Sequence, residues 1–190
     1  MRTAVLRSGG IDSLVCAERA RVEGRLAGCV FVDYGHPAQI AEGWRAFAYA
    51  GERGVPLLAP HLRDLDLGTM PEAVGPCIVP ARNAILLSVA ANAAGRLGAE
   101  SITIGANAAD RDAYPDCRGP ILDAMSAALG LPIEAPLLTW DKPRIIAEAR
   151  ALGLSSADAW SCYGTGPTPC GVCASCVEAS IAWSSPMETT

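Results

Sequence analysis

Thr3-Ala4-Val5-Leu6-Arg7-Ser8-Gly9-Gly10-Ile11-Asp12-Ser13 is an apolar run that breaks at two glycines and leads into Leu14-Val15-Cys16-Ala17-Glu18-Arg19-Ala20, a segment compatible with a helix. Strand, glycine turn and helix start, in that order, open a parallel α/β sheet. Adjacent glycines let the backbone approach a phosphate closely. The helix N-terminus supplies free N–H groups and the positive end of its dipole, and Ser8 and Ser13 add hydroxyl donors. A nucleotide is therefore the expected ligand, with Ser8, Gly9, Gly10, Ile11, Asp12 and Ser13 as its phosphate cradle. The loop is not of the Walker type, which requires Gly-x-x-x-x-Gly-Lys-Ser/Thr, because no lysine stands here. Asp12 stands in it instead, and a carboxylate beside phosphates makes chemical sense with a magnesium ion between them. Arg7 either adds a phosphate contact or sits at the sheet edge, and the plainer reading of the whole loop is a glycine turn of any parallel sheet.

Outward from this loop, short β-rich runs alternate with longer amphipathic ones. Strands are expected near residues 2–7, 28–33, 56–62, 100–105 and 133–135, and helices near 12–24, 37–53, 82–97, 118–129 and 142–152. That alternation predicts an α/β fold with a doubly wound, mostly parallel five-stranded sheet of Rossmann-like type, whose ligands bind at the carboxyl ends of the strands. The polar motifs sit where such a site needs them. Asp33-Tyr34-Gly35-His36 follows the second strand and Gly105-Ala106-Asn107-Ala108-Ala109-Asp110 the fourth. Read alone, Asp33 is equally a helix cap and Tyr34 a core aromatic.

Composition narrows the classes. A chain of 190 residues with 51% hydrophobic content supports one buried domain with a small appendage, expected as 1–155 and 156–190. The first residues do not read as an export signal, and the Ala-rich run of residues 86–94 contains Asn92 and ends at Gly95-Arg96, so neither export nor membrane insertion is expected and the protein is expected to be cytoplasmic. Net charge is −5 and Lys142 is the only lysine, which favours a small-molecule substrate over a nucleic acid.

Eight cysteines in such a chain point to metal ligands, buried apolar residues or catalytic groups rather than to a disulfide framework. Cys162, Cys170, Cys173 and Cys176 form Cys-x7-Cys-Gly-Val-Cys-Ala-Ser-Cys, in which Gly171 eases the turn and Gly164, Gly166, Pro167 and Pro169 build the arm that carries Cys162. Four thiolates complete a tetrahedral zinc shell with no position for water, so the site is expected to be structural. An iron–sulfur cluster is the competing reading. Cys16 and Cys29 read as core residues, while Cys77 and Cys117 fall in loops near the expected site.

The Ser-Gly-Gly-x-Asp-Ser string resembles the pyrophosphate loop of enzymes that split ATP between its α and β phosphates. With Asp33-Tyr34-Gly35-His36, Pro80-Ala81-Arg82-Asn83, Gly105 and Asp110, Tyr114-Pro115-Asp116-Cys117-Arg118, Asp141-Lys142 and Cys162-Tyr163 with the three closing cysteines, the chain resembles the 7-cyano-7-deazaguanine synthase family along nearly its whole length. The resemblance implies adenylation of the carboxylate of 7-carboxy-7-deazaguanine by ATP, displacement of AMP by ammonia to an amide, and a second adenylation leading to the nitrile. It implies ATP, Mg2+ and Zn2+ as cofactors and a homodimer as the assembly. Asp12, Arg82 and Lys142 are the expected catalytic residues; Arg7 to Ser13, Asp33, Tyr34 and Gly105 bind ATP. Arg82, Asn83, Asp110, Tyr114 and Asp116 hold the substrate. The deazaguanine ring needs an acidic acceptor and a flat stacking surface, which Asp110, Asp116 and Tyr114 offer, while Arg82 and Lys142 suit a carboxylate or phosphate. Asn83 is also a helix cap, Lys142 also a solvated helix start, and Cys117 is expected to be structural or substrate-lining rather than a nucleophile.

Three features depart from the family pattern: Ala81 stands where glycine is usual, the first cysteine arm is one residue shorter, and the segment Leu65 to Pro80 is abbreviated. The last motivates a second reading, in which the activated substrate is coupled to another amine, such as a protein terminus, and stops at an amide. A third reading is a non-catalytic nucleotide-binding module.

Overall fold

The computed structural model describes residues 1–62 and 81–185. Among these residues five strands form one parallel sheet: β1 (Thr3–Leu6), β2 (Leu26–Val30), β3 (Leu57–Leu58), β4 (Ser101–Thr103) and β5 (Ile133–Glu134), in the spatial order β3-β2-β1-β4-β5. The helices are α1 (Ile11–Val22), α2 (Gln39–Arg53), α3 (Arg82–Leu97), α4 (Ala108–Ala113), α5 (Gly119–Leu129), α6 (Lys142–Ala151) and α7 (Ala174–Ser184). β1 lies in the middle, buried on both sides, which is why it reads as an unbroken apolar run rather than an alternating one. Its residues still part by face. Val5 joins α1, Tyr49 of α2, and Ile145 and Ala149 of α6; Ala4 and Leu6 join α3 and Leu122 of α5. Helices thus cover both faces, as expected, and the strand order reverses between β1 and β4. The crevice at that reversal is where doubly wound sheets hold ligands.

The expected third strand over 56–62 is shorter in the structure. It pairs at Leu57–Leu58 and again at the single bridge between Asp33 and His61, because Pro56 and Pro60 have no N–H to donate to the ladder. Two helices were not expected. α4 rises from a capping box, in which the Asn107 side chain accepts from Asp110 N–H and Asp110 accepts from Asn107 N–H. α7 begins directly after Cys173 and packs Trp183 against the core beneath α1 and α6. No helix among the described residues is long and apolar enough to cross a membrane.

One buried charge ties α1 to α2. The Glu18 carboxylate accepts from Arg21 Nε at 2.9 Å and Nη2 at 2.8 Å and from the Tyr49 hydroxyl at 3.0 Å, with Arg53 Nε 3.6 Å away. Burial alone would raise its pKa, but the hydrogen bonds from Arg21 and Tyr49 and the charges of Arg21 and Arg53 prevail and hold it below the usual 4.5. The stabilisation is therefore fully present above pH 4.5 and fades as pH falls through the lowered folded value. Glu18→Gln is expected to cost about 1–3 kcal/mol at neutral pH, and the gap between the urea midpoints of variant and parent should narrow below pH 4.5.

Candidate nucleotide site and cysteine cluster

At the carboxyl ends of β1, β2 and β4 lies a cavity of about 230 Å3. Ser8, Asp12 and Ser13 of the glycine loop line it, while Gly10 and Ile11 face a second, smaller cavity, and close packing dictates glycine at positions 9 and 105. A Cβ on Gly9, whose φ is +90°, would stand 2.5 Å from Glu42 Cα. One on Gly105 would stand 2.7 Å from Ser13 N, so the end of β4 rests directly on the first turn of α1. Ser13 Oγ is the knot of the loop: it donates to Gly10 O at 3.0 Å and accepts from Ser8 N–H at 3.1 Å and Arg7 Nη1 at 2.9 Å. Arg7 is not at the sheet edge. It follows the central strand, is fully buried, and also donates to Gly10 O at 2.9 Å. Burial lowers its pKa to about 10, which leaves it charged at neutral pH. Trp160 N–H, donating to Gly9 O at 2.9 Å, closes the loop from the C-terminal side.

Asp12 and Lys142, 130 positions apart, meet at the start of α1. Both Asp12 carboxylate oxygens accept from Lys142 Nζ at 2.9 Å, and Glu178 lies 3.9 Å from the same ammonium. Burial would lower the Lys142 pKa, but the charge and hydrogen bond of Asp12, helped by Glu178 and Asp110, raise it above 10.5. Lys142 is thus no solvated helix start. It lines a second cavity of about 110 Å3 with Gly10, Ile11, Asp12 and Glu178, and Asp12 borders both cavities. Glu178 was not among the expected site residues, because its helix was hidden among ligand-spaced cysteines.

The opposite wall comes from α3, α4 and the turn that follows. Arg82, Asn83, Asp110 and Tyr114 all reach the larger cavity. Asp116 does not line it; its carboxylate accepts from Asn83 N–H at 3.0 Å and caps α3. Asn83 Nδ2 also lies 3.1 Å from Cys117 Sγ, and burial pushes that thiol up to about 12. Cys117 is a lining residue, not an ionised nucleophile. Burial raises the pKa of Asp110 as well, against the Asn107 N–H that holds its charged form, and the Asp12 charge raises it further.

Ala81, the cap residue of α3, has φ +58° and ψ 14°, a left-handed conformation that explains the preference for glycine there. An L-residue pays about 1–2 kcal/mol in that region, against up to about 1 kcal/mol of extra chain entropy for glycine. Ala81→Gly is therefore expected to raise stability by up to about 1 kcal/mol in urea unfolding. Pro80, Cys77 and the abbreviated stretch from Leu65 lie outside the described residues.

Beyond β2, Tyr34 lines the larger cavity and stacks on His36 with ring centroids 4.6 Å apart. His36 is buried, with Nε2 3.1 Å from Glu42. Asp33 stands behind this wall and does not line the cavity: it accepts from Gly35 N–H at 3.2 Å and pairs with His61 Nδ1 at 2.9 Å.

The four clustered cysteines converge as their spacing predicted. All four Sγ atoms lie within 4.8 Å of one another, close to the about 3.8 Å edge of a tetrahedral zinc–thiolate shell. Gly164 and Cys170 N–H donate to Cys162 Sγ at 3.2 and 3.3 Å, and Cys173 N–H to Cys170 Sγ at 3.4 Å. Such bonds favour thiolates, and the backbone N–H groups of Val172 and Cys173 draw the Cys170 pKa down to about 6. Cys162 and Cys176 are buried with Trp160 and Ala38, so the cluster is seated against the start of α2. The donor set suits a soft or borderline metal such as zinc.

A glycine loop on a helix N-terminus at the reversal of a parallel sheet, beside a cavity lined by Arg82, Asp110 and Tyr114, defines a nucleotide-binding α/β protein. A family model described as queuosine biosynthesis protein QueC matches residues 61–186, and the chain belongs to that family. It is 35% identical to 7-cyano-7-deazaguanine synthase of Synechococcus sp. (strain CC9902), over 92% of this chain and 89% of that one. To 7-cyano-7-deazaguanine synthase 2 of Rhodopseudomonas palustris (strain HaA2) it is 31% identical, over 96% of each. The Synechococcus alignment runs over 208 positions yet uses 92% of a 190-residue chain, so that relative carries stretches this chain lacks. Among solved structures, the U34-tRNA thiolase NcsA of Methanococcus maripaludis, with its [4Fe-4S] cluster, superposes with a TM-score of 0.55 at 16% identity, covering 96% of this chain and 63% of that one. That likeness is one of fold.

Proposed function

We propose that the protein is an ATP-dependent, AMP-forming ligase that converts 7-carboxy-7-deazaguanine to 7-cyano-7-deazaguanine with ammonia. One observation carries the reading: Asp12, in the first turn of α1, borders both cavities and holds Lys142, the only lysine in the chain. The larger cavity takes the reacting ends of the two molecules, the α-phosphate and the substrate carboxylate, and the β- and γ-phosphates run past Asp12 towards the second. The substrate carboxylate attacks the α-phosphorus, the bond to the bridging oxygen of the β-phosphate breaks, and pyrophosphate leaves. Ammonia adds to the acyl carbon, AMP departs and a proton is released, giving the amide. A second adenylation, on the amide oxygen, then permits loss of AMP and two protons to the nitrile.

The residues act mainly by position and charge. Loop N–H groups from Gly9 to Ile11 hold the leaving phosphates, and Lys142 exchanges Asp12 for phosphate oxygens as ATP enters. Arg82 holds the carboxylate, Tyr114 stacks on the ring and Asp110 accepts its N–H groups. Asp12 is the carboxylate suited to Mg2+, which binds through one or two carboxylates together with substrate phosphates and neutralises their charge. The cysteine cluster, in this reading a zinc site, fixes the C-terminal helix and with it Glu178.

Mass spectrometry of products from zinc-loaded protein, ATP, Mg2+ and 7-carboxy-7-deazaguanine, with and without ammonium, tests the reading. An ammonium-dependent nitrile with release of AMP is expected. An amide as the final product, or nucleotide binding without turnover, would overturn it.

A further inference from the structure

His36 stands in the wall of the larger cavity, only 3% exposed, with one ring nitrogen that bonds to nothing. Its Nε2 lies 3.1 Å from the Glu42 carboxylate and its ring is stacked on Tyr34, while Nδ1 is buried without a hydrogen-bond partner. A carboxylate beside one ring nitrogen settles the tautomer: the proton stays on Nε2, and Nδ1 keeps a free lone pair. A buried acceptor left unpaired is a cost to the fold, and a catalytic role is one of the few reasons to keep it. Glu42 is also the residue against which Gly9 is packed, so the pair is fixed to the phosphate loop.

The two halves of the ligase reaction differ in their need for such a group. Adenylation needs no base, because the attacking carboxylate is already ionised. Amide formation does need one. As the ammonia nitrogen bonds to the acyl carbon, the bond from that carbon to the AMP oxygen breaks, AMP leaves with the electron pair, and one N–H proton must be taken up. Loss of AMP from the adenylated amide sheds two more. The other carboxylates and the thiol described in the cavity wall are committed elsewhere. Asp12 holds Lys142, Asp110 accepts from Asn107 N–H, and Glu42 is turned to His36 itself. Burial pushes the Cys117 thiol up to about 12, and the arginines have no lone pair to give.

We propose that His36 is the proton acceptor of the amide- and nitrile-forming steps, its Nδ1 taking the proton from nitrogen and returning it to solvent as products leave. Glu42 is the positioning residue that holds the tautomer and offsets the charge that forms on the ring. The assignment rests on the ligase reading and deepens it.

Separating the two halves of the reaction tests it. His36→Gln keeps an amide donor for Glu42 but has no basic nitrogen. Its exchange of labelled pyrophosphate into ATP, driven by 7-carboxy-7-deazaguanine, is expected to stay within a few-fold of the parent, while amide formation from ammonia falls about 10²-fold or more. Glu42→Gln should slow the same step by a smaller factor. Nitrogen-15 NMR, with only His61 to tell apart, should show the neutral His36 ring protonated at Nε2 in the parent and a mixture of tautomers in Glu42→Gln. Equal losses in both halves, no loss in amide formation, or a parent ring protonated at Nδ1 each overturns the assignment. The NMR arm is read on the parent chain, so a His36→Gln chain that fails to fold gives the idea no shelter. A parent chain without substrate-dependent exchange brings down the ligase reading and this assignment with it, whereas a parent that turns over while His36→Gln loses both halves or neither removes the assignment alone.

Discussion

Lys142→Ala is expected to lower kcat for AMP formation by about 10²- to 10³-fold, the scale seen when one pre-positioned charge-stabilising donor is removed. In the free protein the ammonium is held by both oxygens of Asp12 at 2.9 Å, a pair that orients each partner before any phosphate arrives. No other lysine exists in the chain, so no neighbouring ammonium can take over. The pKa of Lys142 is held above 10.5 against burial by Asp12, Glu178 and Asp110, so the group stays charged throughout the neutral range. It therefore acts as a fixed cation, not as a proton shuttle, and the pH–rate profile of the parent should show no limb from its deprotonation below pH 10.5. Lys142→Arg keeps the charge but replaces a compact ammonium with a planar fork, and partial retention of activity is expected. Pyrophosphate release under saturating ATP and 7-carboxy-7-deazaguanine checks this. A kcat for Lys142→Ala within a few-fold of the parent would remove the residue from the catalytic machinery.

The glycine loop was legible in the sequence because the constraint is local: two glycines after an apolar run leave few alternatives to a tight turn onto a helix. The four-cysteine cluster was legible for the same reason, its ligands being spaced so that one turn brings three of them together. What spacing could not give was the division of labour among polar residues. Asp110 and Asp116 read alike as acceptors for a ring, yet one lines the cavity and the other caps α3 from a turn 33 positions away. The Asn107-x-x-Asp110 capping signal was present, but the motif was read only as the polar stretch that follows the fourth strand. Arg7 followed an apolar run and read as a phosphate contact or an edge residue, because sequence does not reveal which strand is central. Its buried hydrogen bonds to Gly10 O and Ser13 Oγ make it a brace for the loop. Lys142 and Glu178 come together only because α7 folds back on α6, a contact no local pattern announces.

If the cysteine cluster holds zinc as proposed, removal of that metal is the second large effect expected. Chelation, or Cys162→Ser together with Cys176→Ser, should lower Tm by roughly 10 °C or more, since thiolate coordination of zinc contributes folding free energy directly. The effect should not stop at the tail. Trp160 packs on Cys162 and Cys176, donates Nε1–H to Cys162 O at 2.7 Å, and donates its backbone N–H to Gly9 O. A single residue, Ser161, thus separates Cys162 of the cluster from a direct bond to the phosphate loop. Loss of metal should therefore red-shift tryptophan emission and weaken ATP binding together, whereas a tail that merely decorates the domain would give the first without the second. Cys16→Ser and Cys29→Ser serve as controls: both thiols are buried in the core, where burial pushes the Cys29 pKa up to about 12, and neither belongs to the cluster. Those variants should lose stability through the core while keeping one metal per chain by elemental analysis. Zinc without visible absorbance is the expected metal, and a broad absorbance band bleached by reductant would instead identify an iron–sulfur cluster on the same four sulfurs.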